Sequence, residues 1–154
     1  MSSHTAPLVL PRPKVLGAPH CSQQARFTLP AQKALVGCLR AAATDLLTRW
    51  RLSDDERDAA VLVVGELAAN AATHGRGEMS LCLILAPGRL CIALSDRGEP
   101  ARSREPSAGD DPDEHGRGLG IVHALAERVD LRHDNHGASV VAWLAVRAVL
   151  PRAA

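Results

Sequence analysis

The stretch HGRGLGIVHAL, residues 115–125, places three glycines within five positions, directly before an apolar sequence of helical character. Glycine is a poor helix former, so Gly116, Gly118 and Gly120 need a reason to stand where a helix begins. Glycines at such a point let backbone N–H groups approach a ligand, and the helix dipole favours negative charge there. The pattern favours a phosphate-binding turn, although glycines that form only a flexible joint would look the same.

The sequence around these glycines excludes the two most common glycine-rich nucleotide loops. A P-loop would continue with Gly-Lys-Ser or Gly-Lys-Thr, and a dinucleotide-binding fold would place a strand directly before the glycines. Here a polar stretch without periodicity precedes them, and we expect a mobile loop bounded by Gly98 and Gly116. We expect the third helix to follow at about residues 119–127. Arg117 is suited to contact a terminal phosphate and offset the charge that develops on it.

A long helix is predicted upstream of this region. Ser53, with Glu56 three residues later, forms the sequence signature of a capping box, and Gly75 supplies a stop after His74. With about 100° of rotation per residue, one narrow stripe of this helix mixes apolar and polar side chains. The stripe holds Leu62, Val63, Glu66, Asn70 and Thr73.

The polar members of this stripe are candidates for chemistry. An unpaired buried carboxylate is costly and usually has a partner, a metal or a catalytic duty. Glu66 could therefore accept a proton from an attacking hydroxyl, and the amide oxygen of Asn70 suits Mg²⁺. A polar pair bonded to the backbone, or a solvated helix face, remains the alternative. His74 could touch the same ligand or simply complement the helix dipole.

A third candidate group ends a strand in the sequence ALSDRG, residues 93–98. The carboxylate of Asp96 only accepts hydrogen bonds, which suits the exocyclic amine of a purine. Gly98 lacks the side chain that would block a flat ring. The same residues also fit an ordinary turn at a strand end.

The order of predicted elements indicates an α+β fold. We expect a strand near residues 25–30, two helices, two strands joined at Pro87-Gly88, the loop, a helix, and two strands joined near residues 135–137. This order predicts a two-layer α/β sandwich, with helices on one face of a mixed, mostly antiparallel sheet. The domain should span residues 25–148, with a flexible Pro-rich tail at 1–24 and a short tail at 149–154.

Composition narrows the possible partners of the chain. The 154 residues are 46% hydrophobic, 23% charged and 2% aromatic, with a formal net charge of +1. A near-neutral chain with dispersed arginines disfavours charge-driven binding to nucleic acid or to a membrane surface. No segment resembles a signal peptide or a membrane span, so we expect a cytoplasmic protein. The four cysteines lie far apart and are expected to be buried, reduced thiols: Cys21, Cys38, Cys82 and Cys91.

Taken together, ELAANAATHG, LSDRG and HGRGLGIVHALAERV resemble the ATP-binding fold shared by gyrase, Hsp90, histidine kinases and MutL. The resemblance covers about residues 25–146 and is greatest to the bacterial anti-sigma factor serine/threonine kinases. The matching positions are Glu66 and Asn70 in one box, Asp96 and Gly98 in a second, and Gly116 to Gly120, including Arg117, Gly118 and Leu119, in a third. The sequence Gly137-Ala-Ser139 stands where these proteins have a Gly-Thr-like turn, which implies that Ser139 contacts the nucleotide.

The resemblance implies a fold of the Bergerat type, or histidine kinase-like ATPase, with ATP and Mg²⁺ as cofactors. It implies that Glu66 is the general base, Asn70 the metal ligand, Asp96 the reader of adenine and Arg117 a contact of the γ-phosphate. The implied partners are an anti-sigma-factor antagonist of the STAS-like type, which receives the phosphate on serine or threonine, a sigma factor, and a second copy in a homodimer.

Two features depart from the pattern of these relatives. Pro100 stands where a further glycine is common, and the stretch 99–115, which the resemblance assigns as a lid, carries Asp110, Asp111, Asp113 and Glu114 near its end. Two other functions remain open. One is a non-catalytic, ATP-dependent module that sequesters a sigma factor or another regulator. The other is a structural protein that binds no nucleotide.

Overall fold

The computed structural model describes residues 23–74, 77–97, 112–134 and 137–147. The elements follow the predicted order, with a short 3-10 turn before the first helix. They are β1 (Gln23–Pro30), the turn Lys33–Leu35, α1 (Val36–Arg49), α2 (Asp54–His74), β2 (Glu78–Ala86), β3 (Arg89–Arg97), α3 (Pro112–Leu125), β4 (Arg128–Asp134) and β5 (Gly137–Ala145). The first strand begins two residues before the predicted boundary of the domain.

The five strands form one sheet in the order β1-β2-β3-β5-β4. Each pairing between the described strands is antiparallel, so the α+β class is confirmed and the expected mixed character is not found among them. The predicted hairpin joins β2 and β3, where Gly88 adopts a φ of +76° that other residues rarely tolerate.

The core lies between the helices and one face of the sheet. Alternate residues of each strand point to this face, because successive side chains of a strand point to opposite sides. The fully buried residues of β2 and β3 on this face are Met79, Leu81, Leu83, Leu85, Leu90 and Ile92. Helices α1 and α2 contribute buried Leu39, Leu47, Val63, Val64 and Leu67, and α3 contributes Val122.

The opposite side of the sheet, called here the open face, faces away from this core. Its centre is apolar, and its edges are polar. The central residues are Cys82, Ile84, Cys91, Ala93, Val141 and Trp143. Arg26 flanks them on β1, and Arg128 and Asp130 flank them on β4.

The cysteine prediction holds in part. Cys82 and Cys91 are buried free thiols on the open face, and burial, with a smaller contribution from Cys82, raises the pKa of Cys91 to about 11. Cys38 is also free, but it is exposed on α1, so its predicted burial was wrong. The position adjoining a buried stripe of an amphipathic helix often reaches solvent. Cys21 lies outside the described residues.

The start of α3 differs from the prediction. The helix begins at Pro112 rather than near residue 119, and it ends at Leu125. Pro112 stands at the first helical position, where proline is favoured, and two acidic residues follow it in the first turn, where the helix dipole favours them. Residues 112–115 of the predicted loop are therefore helical, while residues 98–111 lie outside the described chain.

The predicted capping box forms at the start of α2. The Ser53 N–H donates to Glu56 Oε2 at 3.0 Å, and the Glu56 N–H donates to Ser53 Oγ at 3.2 Å. The other carboxylate oxygen of Glu56 accepts a hydrogen bond from the Arg147 N–H, just beyond β5. One side chain therefore caps α2 and ties it to the last strand.

No helix in the described ranges is long and apolar enough to cross a membrane.

Glu56 predicts a pH-dependent contribution to stability. Burial acts to raise the pKa of Glu56, but the hydrogen bonds from Arg147 and Ser53 outweigh it and hold the pKa below its ordinary value of 4.5. A carboxyl with a lowered pKa stabilises the fold above its unfolded pKa, and this contribution is lost as the pH falls through the folded pKa. Glu56→Gln should lower the free energy of unfolding by about 1 kcal/mol at pH 7, and by much less at pH 3.

Urea unfolding at the two pH values measures this difference. Glu78→Gln, at an exposed strand end, is the matched control and should change little at either pH. A Glu56→Gln effect of equal size at both pH values would contradict the role of the ionised carboxylate.

Candidate functional site

Helix α2 positions two of the predicted polar residues at the border of the core. Val63, Val64 and Leu67 are at most 1% exposed and face the sheet. Glu66 and Asn70 lie on the adjacent side of the same helix and are half-buried. The predicted stripe is therefore not a uniformly buried face, since Leu62 is 46% exposed and Thr73 is exposed as well.

Helix α3 meets α2 at these polar residues. A Cβ atom built on Gly118 would lie 2.7 Å from Glu66 Oε2 and 3.9 Å from Asn70 Oδ1. A real Cβ atom almost never lies as close to another atom as the first distance, so glycine at position 118 lets the Glu66 carboxylate, the end of a flexible side chain, lie against α3. The structure thus brings together Glu66, Asn70 and Gly118, the middle glycine of the glycine-rich segment.

The glycine-rich segment is helical, not an open turn. Gly116, Gly118 and Gly120 lie within α3, where backbone N–H groups bond to carbonyl groups four residues earlier. In this conformation the three glycines therefore do not form the open turn that the sequence predicts, and their binding of phosphate stays a prediction. Contact with α2 outweighs the low helix propensity of three glycines.

Neighbouring residues of α3 point in different directions. Arg117 is exposed to solvent, whereas Leu119 is half-buried and packs against the core. A Cβ atom on Gly120 would meet nothing within 4 Å. The side chain of His74 and the whole of Gly98 lie outside the described residues.

Asp96 is a buried carboxylate at the end of β3, with an exposed fraction of 8%. Its Oδ1 accepts a hydrogen bond of 2.7 Å from the Ala138 N–H on β5. Gly137 comes close to the same residue, since a Cβ there would overlap the Asp96 carbonyl oxygen and lie 2.9 Å from Oδ1. Asp96 is therefore fixed by the start of β5, which only glycine at position 137 allows to come so near.

Ser139 does not share the face of Asp96. It pairs with Ser95 in the ladder between β3 and β5, and cross-strand partners point to the same side of a sheet. Ser95 and Ser139 therefore point to the open face, while Asp96 pairs with Met79 of the core. The implied role of Ser139 as a side-chain contact of the nucleotide is wrong in this structure, and Ala138 holds the position beside Asp96.

The two halves of the candidate site lie at the same end of the molecule. Asn70 is one turn before the end of α2 at His74, and only residues 75–77 separate that end from β2. Met79, at the start of β2, is the register partner of Asp96. The short link holds the end of α2 near the end of β3.

Within the described part of the chain, no group of three or more His, Cys, Asp or Glu side chains could hold a metal ion. The oxygens that do meet at the site are Glu66 Oε2 and Asn70 Oδ1, both beside Gly118. Oxygen donors of this kind suit Mg²⁺, which usually keeps several waters and shares its coordination with phosphate oxygens.

The contact at Gly118 predicts different results for two similar substitutions. Gly120→Ala should raise the free energy of unfolding by about 0.5–1 kcal/mol, because alanine favours the helix and meets open space. Gly118→Ala should stabilise less than Gly120→Ala, by up to about 1 kcal/mol, because its methyl group displaces the Glu66 carboxylate, which ends a flexible side chain. Chemical unfolding measures both variants, and equal stabilisation by both would contradict the contact between α2 and α3.

Comparison with known proteins agrees with this architecture. The model of the family described as histidine kinase-like ATPase domain matches residues 29–143. No curated protein matches the sequence. Among solved structures, the chain is similar to the RsbU and RsbW domains of Rv1364c from Mycobacterium tuberculosis, with 17% identity and a TM-score of 0.59. That match covers 80% of this chain but 32% of the other, and at this identity it shows a common fold. The family model spans all three described α-helices, the site residues and most of the sheet, so the chain belongs to the histidine kinase-like ATPase domain family.

Proposed function

We propose that this chain binds ATP and Mg²⁺ and transfers the γ-phosphate to a serine or threonine of an anti-sigma-factor antagonist. The observation that carries the proposal is the approach of Gly118 to Glu66 and Asn70, near the end of the sheet that holds Asp96. Membership in an ATPase domain family and the resemblance to anti-sigma factor kinases support the same function. The antagonist and a sigma factor are its proposed partners, and we propose that it acts in the cytoplasm.

Asp96 is the proposed reader of the base. One oxygen, Oδ1, is engaged by the Ala138 N–H, and Oδ2 has no hydrogen-bond partner among the described residues. A carboxylate oxygen accepts hydrogen bonds only, so it selects a base that carries an exocyclic amine, as adenine does. The proposed site thus accepts the exocyclic amine of adenine at this position. We include Gly98 beside it, where no side chain would obstruct the ring.

Glu66 is the proposed general base and Asn70 the proposed ligand of Mg²⁺, with His74 one turn further as a further contact. Mg²⁺ bound there would supply positive charge to the phosphate oxygens. The Glu66 carboxylate takes the proton of the attacking hydroxyl while the hydroxyl oxygen of the substrate bonds to the γ-phosphorus. The bond between that phosphorus and the bridging oxygen breaks, and ADP leaves. Arg117 would offset the charge on the transferring group.

The glycine-rich segment has a proposed role in admitting the triphosphate. Its N–H groups are occupied within α3, so binding phosphate through them requires the first turns of the helix to open. Each glycine lowers helix stability by about 1 kcal/mol relative to alanine, which makes this opening less costly. We propose that Gly116 to Gly120 bind the phosphates in the opened form, and that residues 99–111 belong to the lid.

The open face supports a proposed homodimer. A two-fold axis parallel to β3 would bring the apolar centres of two sheets together and place β1 of one copy over β4 of the other. Arg26 and Asp130 occupy the same row on these opposite edges, so each would face the other across the interface. Such a surface is complementary to itself in charge as well as in hydrophobicity.

Labelled ATP tests the proposed activity. The wild-type chain should bind Mg·ATP in calorimetry and label a serine or threonine of a small antagonist encoded by a neighbouring gene. Glu66→Gln should keep ATP affinity within a few fold and lose transfer by about 100-fold or more, because it removes the base. Asn70→Ala should weaken binding in the presence of Mg²⁺. Glu127→Gln, a surface residue paired with Arg89, is the control and should behave as wild type.

Each failure of this experiment has a distinct meaning. If the chain binds ATP but transfers label to no candidate antagonist, the result would support a non-catalytic module whose affinity for a sigma factor depends on ATP. Transfer that survives in Glu66→Gln would contradict the role of this carboxylate. If the chain binds no ATP, the proposed function is overturned, and a structural protein that binds no nucleotide is the alternative that remains.

Charge reversal tests the proposed dimer. Arg26→Asp alone should weaken self-association by about tenfold or more, because like charges then face each other across the interface. Combining it with Asp130→Arg should restore association. Light scattering and sedimentation over a range of concentrations measure the dimer, and circular dichroism checks the fold. A monomeric wild type, or a double variant no tighter than the single one, would contradict this arrangement.

A further inference from the structure

The edge strand β4 brings a histidine to the end of the sheet that holds Asp96. His133 is the register partner of Ala138, and the Ala138 N–H donates to Asp96. The three residues therefore form one row across β3, β5 and β4. Cross-strand partners point to the same side, so His133 stands on the helix-facing side together with Asp96.

The row sets the distance between His133 and Asp96. Neighbouring strands lie about 4.8 Å apart, so two strand spacings separate His133 from Asp96 by about 10 Å. The side chain between them is a single methyl group. A two-ring purine held at Asp96 by its amine would extend over this methyl toward His133, whereas a one-ring pyrimidine held in the same way would end sooner.

His133 is available for such a contact. Its side chain is exposed, and within the described chain it takes part in no hydrogen bond or ion pair. The other aromatic and imidazole side chains of the described residues are on other elements or on the other face: Phe27 contributes to the core from the far edge strand, Trp50 follows α1, His123 is exposed on α3, and Trp143 is on the open face. His133 is thus the imidazole that shares a row of the sheet with Asp96.

We propose that His133 is a specificity-determining residue that packs its imidazole ring against the purine of the bound nucleotide. The inference rests on the proposed nucleotide site and adds to it a preference for two-ring over one-ring bases. Asp96 selects the amine, and His133 selects the size of the base that carries it. Contacts between bases and flat side chains contribute substantially to binding and are tolerant of the details of the base.

Calorimetry with Mg·ATP and Mg·CTP tests this assignment, since both nucleotides carry an exocyclic amine, a ribose and a triphosphate. His133→Ala should weaken ATP binding about tenfold and leave CTP binding within about twofold, so the ratio of the two affinities falls. His133→Phe, which keeps a flat ring, should retain ATP affinity within about threefold. Arg132→Ala is the matched control, because residue 132 is adjacent in β4 and points to the open face.

The outcomes separate the two proposals. If the wild-type chain binds no ATP, the proposed function fails. If it binds ATP and His133→Ala binds equally well, the site stands and the assignment of His133 is overturned. An equal loss of ATP and CTP affinity, or an equal loss in Arg132→Ala, also overturns it, because a general disturbance of β4 would then explain the result.

Discussion

The burial of one side of α2 against the sheet is the constraint on which the rest of the structure depends. Val63, Val64 and Leu67 leave almost no surface in water, and fully burying a side chain of this kind contributes about 1.5–3 kcal/mol. This burial fixes the rotation of the helix about its axis. Glu66 and Asn70 must then stand at the border of the core, one turn apart. Helix α3 meets this border at Gly118, where the Glu66 carboxylate lies in the space that a side chain would take.

Local signals were sufficient to predict most of the fold. The capping box of Ser53 and Glu56, the turn at Pro87-Gly88 and the alternation in the strands each act over a few residues, and the structure contains all three elements. Glu66 and Asn70 could be singled out because helical periodicity alone places them together. What the sequence did not reveal is the link between Glu56 and Arg147, which joins residues 91 positions apart.

The remaining differences have physical causes. Three glycines suggest a loop at the start of α3, whereas contact with α2 stabilises a helix that begins at Pro112. The face of Ser139 could not be derived, since a shift of one residue in a strand reverses its side and the register is set by pairing with β3. The side of the sheet on which His133 lies cannot be derived from the sequence for the same reason. Its neighbours across the sheet come from strands that are distant in sequence or reached through a turn.

The Asp96 side chain both bonds to the backbone of β5 and is the proposed contact of the base. Because the amide of Ala138 engages Oδ1, the orientation of the carboxylate is set by the backbone of β5. An asparagine there would be turned the same way, with its oxygen toward that amide and its nitrogen where Oδ2 now lies. The polarity presented to a base could therefore be inverted at a single atom while the anchor to β5 is kept. In evolutionary terms, a new base preference is one substitution away and leaves the scaffold intact.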